Sequence, residues 1–316
     1  MSPIISSFGI LLPLFGLILA GFILGRAPIW SEAGTGFLTN YVFYLAIPAL
    51  LFRTMAGGAA TRHMELGVLY AYFGGCVLVF GLALLIAVAL FPLVWRERAI
   101  FAMGTVFSNN VMLGIPLIVL LHGDRGLAVL SIVIAFNSVI LIPLTTLVAE
   151  IDRSGSGPSL ARLVKPLKRL ALNPVILGIL VGVAYGLTGL GIPVWLDRFL
   201  KPLADSSTAG ALVSLGATLS VLGFSGAGRQ SWTMVVLKLV VHPAAVWLCA
   251  RYLFGLDPTA TAVITIMAAL PVGSNVFILA KYYDSYVAPV VSATLTSTAL
   301  AAISIAVLIG VLAIPL

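Results

Sequence analysis

The chain has 316 residues, of which 61% are hydrophobic and only 9% are charged, whereas soluble domains carry roughly 25% charged residues. This composition excludes an ordinary soluble domain and predicts an all-α polytopic membrane protein. The net charge of +7 does not indicate nucleic-acid binding, because the basic residues are scattered between apolar segments. Cys76 and Cys249 both lie inside apolar segments, so they predict neither a disulfide nor a metal site.

Windows of about 19 residues divide the chain into ten apolar spans. The first five are Ile5–Leu24, Gly36–Met55 (bent near Pro48), Leu66–Val94, Ala99–Leu121 and Leu127–Ala149. The second five are Pro174–Leu190, Leu203–Leu222, Trp232–Leu253, Thr261–Tyr282 and Val287–Ile314. A polar, basic loop over residues 151–172 separates the two sets. We therefore expect two five-helix halves, residues 1–150 and 173–316.

The fourth span of each half contains residues that interrupt a helix at membrane depth. The first set is Ser108, Asn109, Asn110, Gly114 and Pro116, and the second is Pro271, Gly273, Ser274 and Asn275. Proline removes a backbone donor and hydrocarbon offers no water to the freed groups, so each break must lie against protein or a polar cavity. Interrupted segments at corresponding positions of two halves are the best sequence indication of a transporter binding site.

An odd number of spans per half predicts that the second half is inserted upside down, as an inverted repeat. With the N-terminus outside, the cytoplasmic connections hold ten of the seventeen Lys and Arg residues, the outer connections hold six, and Lys238 lies within a span. The excess of basic residues places the central loop in the cytoplasm. We therefore expect a multi-pass protein of the cell (inner) membrane with both termini extracytoplasmic.

Both interrupted segments are similar to those of a known family. Ser108–Leu117 followed by His122-Gly-Asp124, and Ala269–Gly273 followed by Phe277–Tyr282, resemble the two crossover segments of the auxin efflux carrier family. That family includes plant PIN carriers and bacterial carriers of malonate-like acids. The resemblance extends to Ile47–Phe52, Ser214–Leu219 and Leu237–Pro243, and it covers essentially the whole chain.

The resemblance implies a ten-helix fold related to the bile-acid sodium symporters, with broken fourth and ninth helices that cross at the membrane centre. It also implies an elevator mechanism, in which helices 1, 2, 6 and 7 form a static, dimerising scaffold and helices 3–5 and 8–10 carry the site. Plant relatives have a proline at the position of Ser108, so the first break here lacks that proline, whereas the second matches Pro271. Asn109 and Asn137 match residues of the family's substrate site.

The chemistry of a broken helix favours an anionic substrate, because its exposed N-terminal amides carry partial positive charge. We expect a small organic anion to be bound by residues that add neutral donors and acceptors or open backbone amides: Asn109, Asn110, Asn137, Gly273, Ser274 and Asn275. The alternative is that these amides only satisfy the backbone groups freed by the breaks.

Two ionisable residues lie in the eighth span. Lys238 is the only basic residue well inside a span, and it is either a counter-charge or coupling group or a side chain that snorkels to the cytoplasmic face. His242 lies one turn further on the same helix face. It either accepts a coupling proton or is a hydrogen-bonded structural residue. The coupling ion would be H⁺ or Na⁺, and no cofactor is expected.

We therefore predict a secondary transporter of a mono- or dicarboxylate, auxin-like or malonate-like. The alternative is an anion channel or a uniporter without ion coupling. An enzyme is not expected, because the chain has no Walker motif and no His-Glu-x-x-His motif. Small-residue stripes (Gly16, Gly21 and Gly25 in the first span; Gly178, Gly182 and Gly186 in the sixth) permit close helix contact within the scaffold or in a homodimer.

Overall fold

The computed structural model describes residues 3–58, 65–152, 172–222 and 228–311, and this part of the chain is helical without strands. The helices are α1 Pro3–Arg26, α2 Glu32–Ala56, α3 Leu66–Leu90, α4 Trp95–Val106, α5 Asn110–Ala149, α6 Pro174–Leu187, α7 Val194–Ser220, α8 Arg229–Leu253, α9 Pro258–Ala269, α10 Ser274–Tyr282 and α11 Val287–Val311. Most of the predicted central loop, residues 153–171, lies outside the described residues.

Five of these helices, α2, α3, α5, α8 and α11, are long and apolar enough to cross a bilayer, and α1, α6 and α9 contain shorter apolar helices. The prediction of an all-α polytopic membrane protein is therefore confirmed. The short helix α9 is buried on all sides, since every residue from Ala260 to Ala269 is buried. A helix that is apolar all round is expected in such an enclosed position.

The seventh helix begins at Val194, nine residues before the predicted start of its apolar span at Leu203. These additional turns are charged, and they include an ion pair of Asp197 with Arg53 at 2.7 Å. The predicted fourth and fifth spans are separate helices that meet at a kink inside α5. At this kink only Gly123 leaves the helical conformation, with φ 55° and ψ −147°. Glycine reaches positive φ without steric cost, so this one residue makes the connection between the two spans.

Three of the helices contain a turn of π-helix that ends two residues before a proline. The turns are Val42–Ala46 before Pro48, Asn110–Gly114 before Pro116 and Leu237–Val241 before Pro243. Proline lacks an amide hydrogen and its ring clashes with the carbonyl four residues earlier. The chain accommodates this by widening one turn, in which the amide before the proline bonds five residues back. The predicted bend near Pro48 therefore takes the form of a π-turn inside a continuous α2.

Glycines bring two pairs of helices into close parallel contact. In the first pair, α1 and α7, a Cβ at Gly25 would lie 3.0 Å from Ala217 Cα. In the second pair, α2 and α6, a Cβ at Gly178 would lie 2.9 Å from Pro48 Cα, and one at Gly182 would lie 3.0 Å from Phe52 Cα. The small-residue stripes thus allow packing within one chain, since all their glycines except Gly16 face a neighbouring helix of the same chain.

The remaining helices form a second group that surrounds the two breaks. Helix α3 packs antiparallel to α8, with Gly75 against Val246 and Gly67 against Leu256, which lies just after the end of α8. Helices α4, α5, α9 and α11 pack on this pair, and α10 packs on α4 and α11. The helix interruptions between α4 and α5 and between α9 and α10 therefore lie inside the molecule, where protein rather than lipid contacts the backbone.

Candidate functional site

The chain is interrupted at both predicted places, and the two breaks pair with each other. The segment after α4 and the segment after α9 form an antiparallel bridge between Ser108 and Val272. The amide of Asn109 donates to the Pro271 carbonyl at 3.0 Å, and the amide of Gly273 donates to the Phe107 carbonyl at 2.8 Å. Each break therefore satisfies backbone groups of the other, which hydrocarbon could not do.

Side chains satisfy further backbone groups at the crossing, which is the place where the two breaks pair. The amide of Val272 donates to Ser297 Oγ at 3.1 Å, and the Lys238 amine donates to the Ala268 carbonyl in the last turn of α9. Asn109 caps the start of α5, since its Oδ1 accepts from the Met112 amide at 3.3 Å. The first break thus forms without a proline at position 108, because these contacts replace the helical hydrogen bonds.

Gly273 is required by the close approach of the two breaks. A Cβ at this position would lie 2.8 Å from the Ser108 carbonyl oxygen and 2.9 Å from the Phe107 ring. Gly114 and Pro116 lie in α5 beyond the break, where Gly114 faces Leu270 and Pro116 follows the π-turn. Gly114 and Pro116 therefore shape the crossing.

A cavity of about 300 Å³ lies directly beside the crossing. All six residues predicted to bind substrate are in its wall: Asn109, Asn110, Asn137, Gly273, Ser274 and Asn275. Ser108 also lines it. Helices α5 and α10 both begin at this wall, so the positive ends of both helix dipoles lie at the cavity. At the start of α5 the Asn110 amide already donates to the Ser108 carbonyl at 2.8 Å and the Met112 amide to Asn109 Oδ1.

The opposite wall comes from α2 and α6, and sequence reasoning did not identify it. Phe43, in the π-turn of α2, and Val175 and Ile176, in the first turn of α6, supply apolar surface. Asn173 also lines the cavity and caps α6, because its Oδ1 accepts from the Val175 amide at 2.9 Å. In the sequence, only the Asn-Pro pair at the start of α6 indicates part of this wall, because asparagine is favoured at the N-cap of a helix and proline at its first position.

Two amides in the cavity wall have an acceptor without a protein partner. Asn110 Oδ1 and Asn137 Oδ1 are both buried and accept no hydrogen bond from the described residues. The other end of the Asn110 side chain donates weakly to the Tyr72 hydroxyl at 3.5 Å. Buried polar atoms are normally hydrogen-bonded, so these two oxygens indicate positions where a ligand or water would be bound.

Lys238 lies behind the crossing and is completely buried. Its Nζ donates to Ser108 Oγ at 2.9 Å and lies 3.3 Å from His242 Nδ1, in addition to its bond to Ala268. This geometry excludes the snorkelling alternative, because the amine points to the crossing and not to a membrane face. One hydroxyl, that of Ser108, separates the amine from the cavity.

His242 continues this polar cluster away from the cavity. It is completely buried, its Nε2 lies 3.3 Å from Cys76 Sγ, and its ring packs edge-on against Tyr72. Both ring nitrogens thus have neighbours, as expected for a structural histidine. Within the described part of the chain, no three His, Cys, Asp or Glu side chains group as metal ligands would.

Comparison with known proteins identifies the family. A family model described as "Membrane transport protein" matches residues 6–309. A Rhizobium meliloti (strain 1021) protein named "Putative malonate transporter" is 26% identical over 305 residues, which cover 96% of this chain and 94% of the relative.

Two eukaryotic proteins match over shorter regions. A Mus musculus protein named "Lysosomal cholesterol signaling protein" is 27% identical over 223 residues, 67% of this chain and 26% of the relative. "Auxin efflux carrier component 8" of Arabidopsis thaliana is 30% identical over 141 residues, 42% of this chain and 38% of the relative. The matched regions therefore cover well under half the length of each of these two relatives. The family match over nearly the whole chain confirms the resemblance seen in the crossover segments, and the chain belongs to the membrane transport protein family of the auxin efflux carriers.

Proposed function

We propose that this protein is a secondary transporter of a small organic anion, and that the substrate carboxylate binds in the cavity at the crossing. The observation that carries the proposal is the convergence of two helix N-termini on one cavity, whose wall also contains the side-chain amides of Asn110 and Asn137. Helix N-termini attract carboxylates because their free amides and the helix dipole present partial positive charge. The name of the Rhizobium meliloti relative, which refers to malonate, agrees with a carboxylate.

Lys238 is proposed as the fixed counter-charge of the bound anion. It has no carboxylate partner among the described residues, and its neighbours are a hydroxyl, a carbonyl and an imidazole. A buried ammonium group is costly without an opposite charge. A carboxylate that hydrogen-bonds to Ser108 would supply that charge when the site is occupied.

An elevator mechanism is proposed because the cavity lies between two groups of helices. The polar wall belongs to the group that contains the breaks, and the apolar wall belongs to α2 and α6. The cavity extends to Asn173, which follows the central loop. Away from this end, Thr54 Oγ1 of α2 donates to Asp124 Oδ1 of α5 at 3.3 Å. We infer a conformation that is open toward the side of the central loop, with Thr54 and Asp124 in contact on the opposite side.

We also propose an inverted repeat, and the packing of the scaffold helices α1, α2, α6 and α7 supports it. A two-fold axis in the membrane plane would exchange the first with the sixth helix and the second with the seventh. The parallel contact of α1 with α7 would then correspond to the parallel contact of α6 with α2, and glycines mediate both contacts. With the basic central loop in the cytoplasm, both termini would be extracytoplasmic and the cavity would face the cytoplasm.

Ligand-dependent thermal stability tests the proposed site. The purified protein is heated with a panel of mono- and dicarboxylates and indole-3-acetate, with and without sodium and across pH, since a bound ligand stabilises the folded state. We expect at least one acid to raise the melting temperature, and the shift to be lost in Asn137→Ala. The absence of a shift with every acid would refute the carboxylate site.

Counterflow separates a carrier from a channel. Proteoliposomes loaded with the unlabelled stabilising acid should accumulate the labelled acid transiently, because a carrier exchanges substrate across the membrane. Uptake that does not saturate, without counterflow, would instead support the alternative of an anion channel.

A further inference from the structure

A second cavity lies between the scaffold and the helices that contain the breaks. This groove has a volume of about 720 Å³ and is separate from the cavity at the crossing. Its walls come from α1, the end of α7, the first turn of α8 and α11: Phe15, Ile18, Leu19, Phe22, Leu219, Leu222, Trp232, Leu295, Thr296, Thr298, Ala299 and Leu300. Arg26, the last residue of α1, lies at one end.

The groove is open to the lipid phase and apolar along its length. Leu19 is 58% exposed and Trp232 is 47% exposed, so both side chains would contact lipid in a bilayer. The hydroxyl of Thr298 donates to the Thr294 carbonyl of its own helix at 2.7 Å. This threonine therefore presents mainly its methyl group, and the groove is suited to a hydrocarbon chain.

The length of the groove matches one leaflet of a bilayer. Phe15 and Arg26 are eleven positions apart on α1, which corresponds to about 16 Å at about 1.5 Å per residue. Half of a hydrocarbon core of roughly 30 Å is about 15 Å. An acyl chain whose headgroup lies at Arg26 would therefore reach Phe15 near the bilayer centre.

The charged end has the chemistry of a phosphate site at the membrane interface. The Arg26 guanidinium lies 4.4 Å from the centre of the Phe22 ring, and no carboxylate of the described residues pairs with it. Trp232, in the first turn of α8, lines the same groove, and Trp and Arg are both typical of the membrane–water interface. Arginine binds phosphate oxygens through two parallel N–H donors.

We propose that an anionic phospholipid of the leaflet bordering Arg26 binds in this groove, with its phosphate on the Arg26 guanidinium and one acyl chain along α1. This binding site is independent of the proposed substrate site. The groove lies between α1 and α7 of the scaffold and α8 and α11 of the group that surrounds the breaks, so the lipid would contact both groups of helices.

Native mass spectrometry of the detergent-purified protein tests the proposal. Phosphatidylglycerol and phosphatidylcholine with the same acyl chains are added in equal amounts. The wild type should retain phosphatidylglycerol at least about threefold more than phosphatidylcholine, and Arg26→Gln should lose this preference. Arg229→Gln is the matched control, because Arg229 also lies over an aromatic ring, that of Phe91 at 5.8 Å, outside the groove. The Arg229→Gln variant should retain the wild-type preference for phosphatidylglycerol over phosphatidylcholine.

A second variant tests the acyl-chain part of the site. Ala299 is exposed on the groove wall, so Ala299→Trp should fill the groove without a clash in the core and reduce retention of both lipids. Equal preference in the wild type and Arg26→Gln would overturn the proposal. Displacement of phosphatidylglycerol by an equal concentration of glycerol 3-phosphate would also overturn it, because the site would then bind a free phosphate and not a lipid.

Discussion

Replacement of Lys238 by methionine tests the proposed counter-charge most directly. The amine lies 2.9 Å from Ser108 Oγ, and a carboxylate bound to that hydroxyl would lie roughly 5 Å from the amine, given hydrogen bonds of about 2.6 Å to anions. With an effective dielectric constant of about 20, this separation corresponds to about 3 kcal/mol of attraction. Lys238→Met should therefore weaken binding of the anion about 100-fold.

Folding should be affected less than binding. The variant leaves the Ala268 carbonyl without its lysine donor, which costs about 1–3 kcal/mol for a buried group. Removal of a buried charge offsets much of this cost. We therefore expect a small change in melting temperature together with a large change in affinity.

The assay is ligand-dependent thermal stabilisation, titrated with the acid that stabilises the wild type most strongly and with its neutral amide. Affinity for the acid should fall in Lys238→Met, whereas any affinity for the neutral amide should not. Lys281→Met is the control, because Lys281 is exposed at the end of α10 and lies over the Phe277 ring. Anion affinity in Lys238→Met within about threefold of the wild type would refute the counter-charge reasoning.

Three further predictions concern the cavity and its surroundings. Asn137→Ala should weaken anion binding about tenfold, because Asn137 lines the cavity and its NH₂ group can donate to a carboxylate. The melting temperature should not change, because Asn137 Oδ1 has no protein partner; unchanged titration would contradict the role of Asn137. Gly273→Ala should lower the melting temperature and abolish uptake, since its Cβ would lie 2.8 Å from a carbonyl of the opposite break, whereas Gly81→Ala, in open space, should be tolerated. Thr54→Cys with Asp124→Cys, joined by a short bifunctional thiol reagent, should stop uptake; full activity after cross-linking would argue against relative movement of α2 and α5.

The positions of both helix breaks followed from local chemistry. Proline, glycine, serine and asparagine within an apolar span each weaken a helix or compete for its backbone groups, and this effect depends little on distant residues. The N-terminal amides at Ser274 and Asn110 follow directly from such breaks. The prediction that anions suit this place could therefore be made before any contact was known.

Prolines inside the helices are a second local feature, and they fix the positions of the π-turns. The π-turns before Pro48, Pro116 and Pro243 have the same offset from the proline, so their positions follow from the clash of a proline ring with the preceding turn. This rule replaces the expected bend near Pro48 with a π-turn and places Phe43 in a widened turn of α2. It does not say that Phe43 lies on the cavity wall.

Only the tertiary structure decided which residues meet at the cavity. The depth of Lys238 in its span was equally compatible with snorkelling and with a buried site, and the contact with Ser108, 130 positions away, decided between them. The assignment of Gly178 and Gly182 to packing against α2 likewise needed the helix arrangement. Hydropathy determined that this chain enters the membrane, and the proline, glycine and polar residues inside apolar spans determined where its helices break. Both effects act on single residues in contact with lipid, so a local pattern is enough to predict them. The pairing of the breaks and the walls of the cavity depend on contacts between distant segments, which no local pattern encodes.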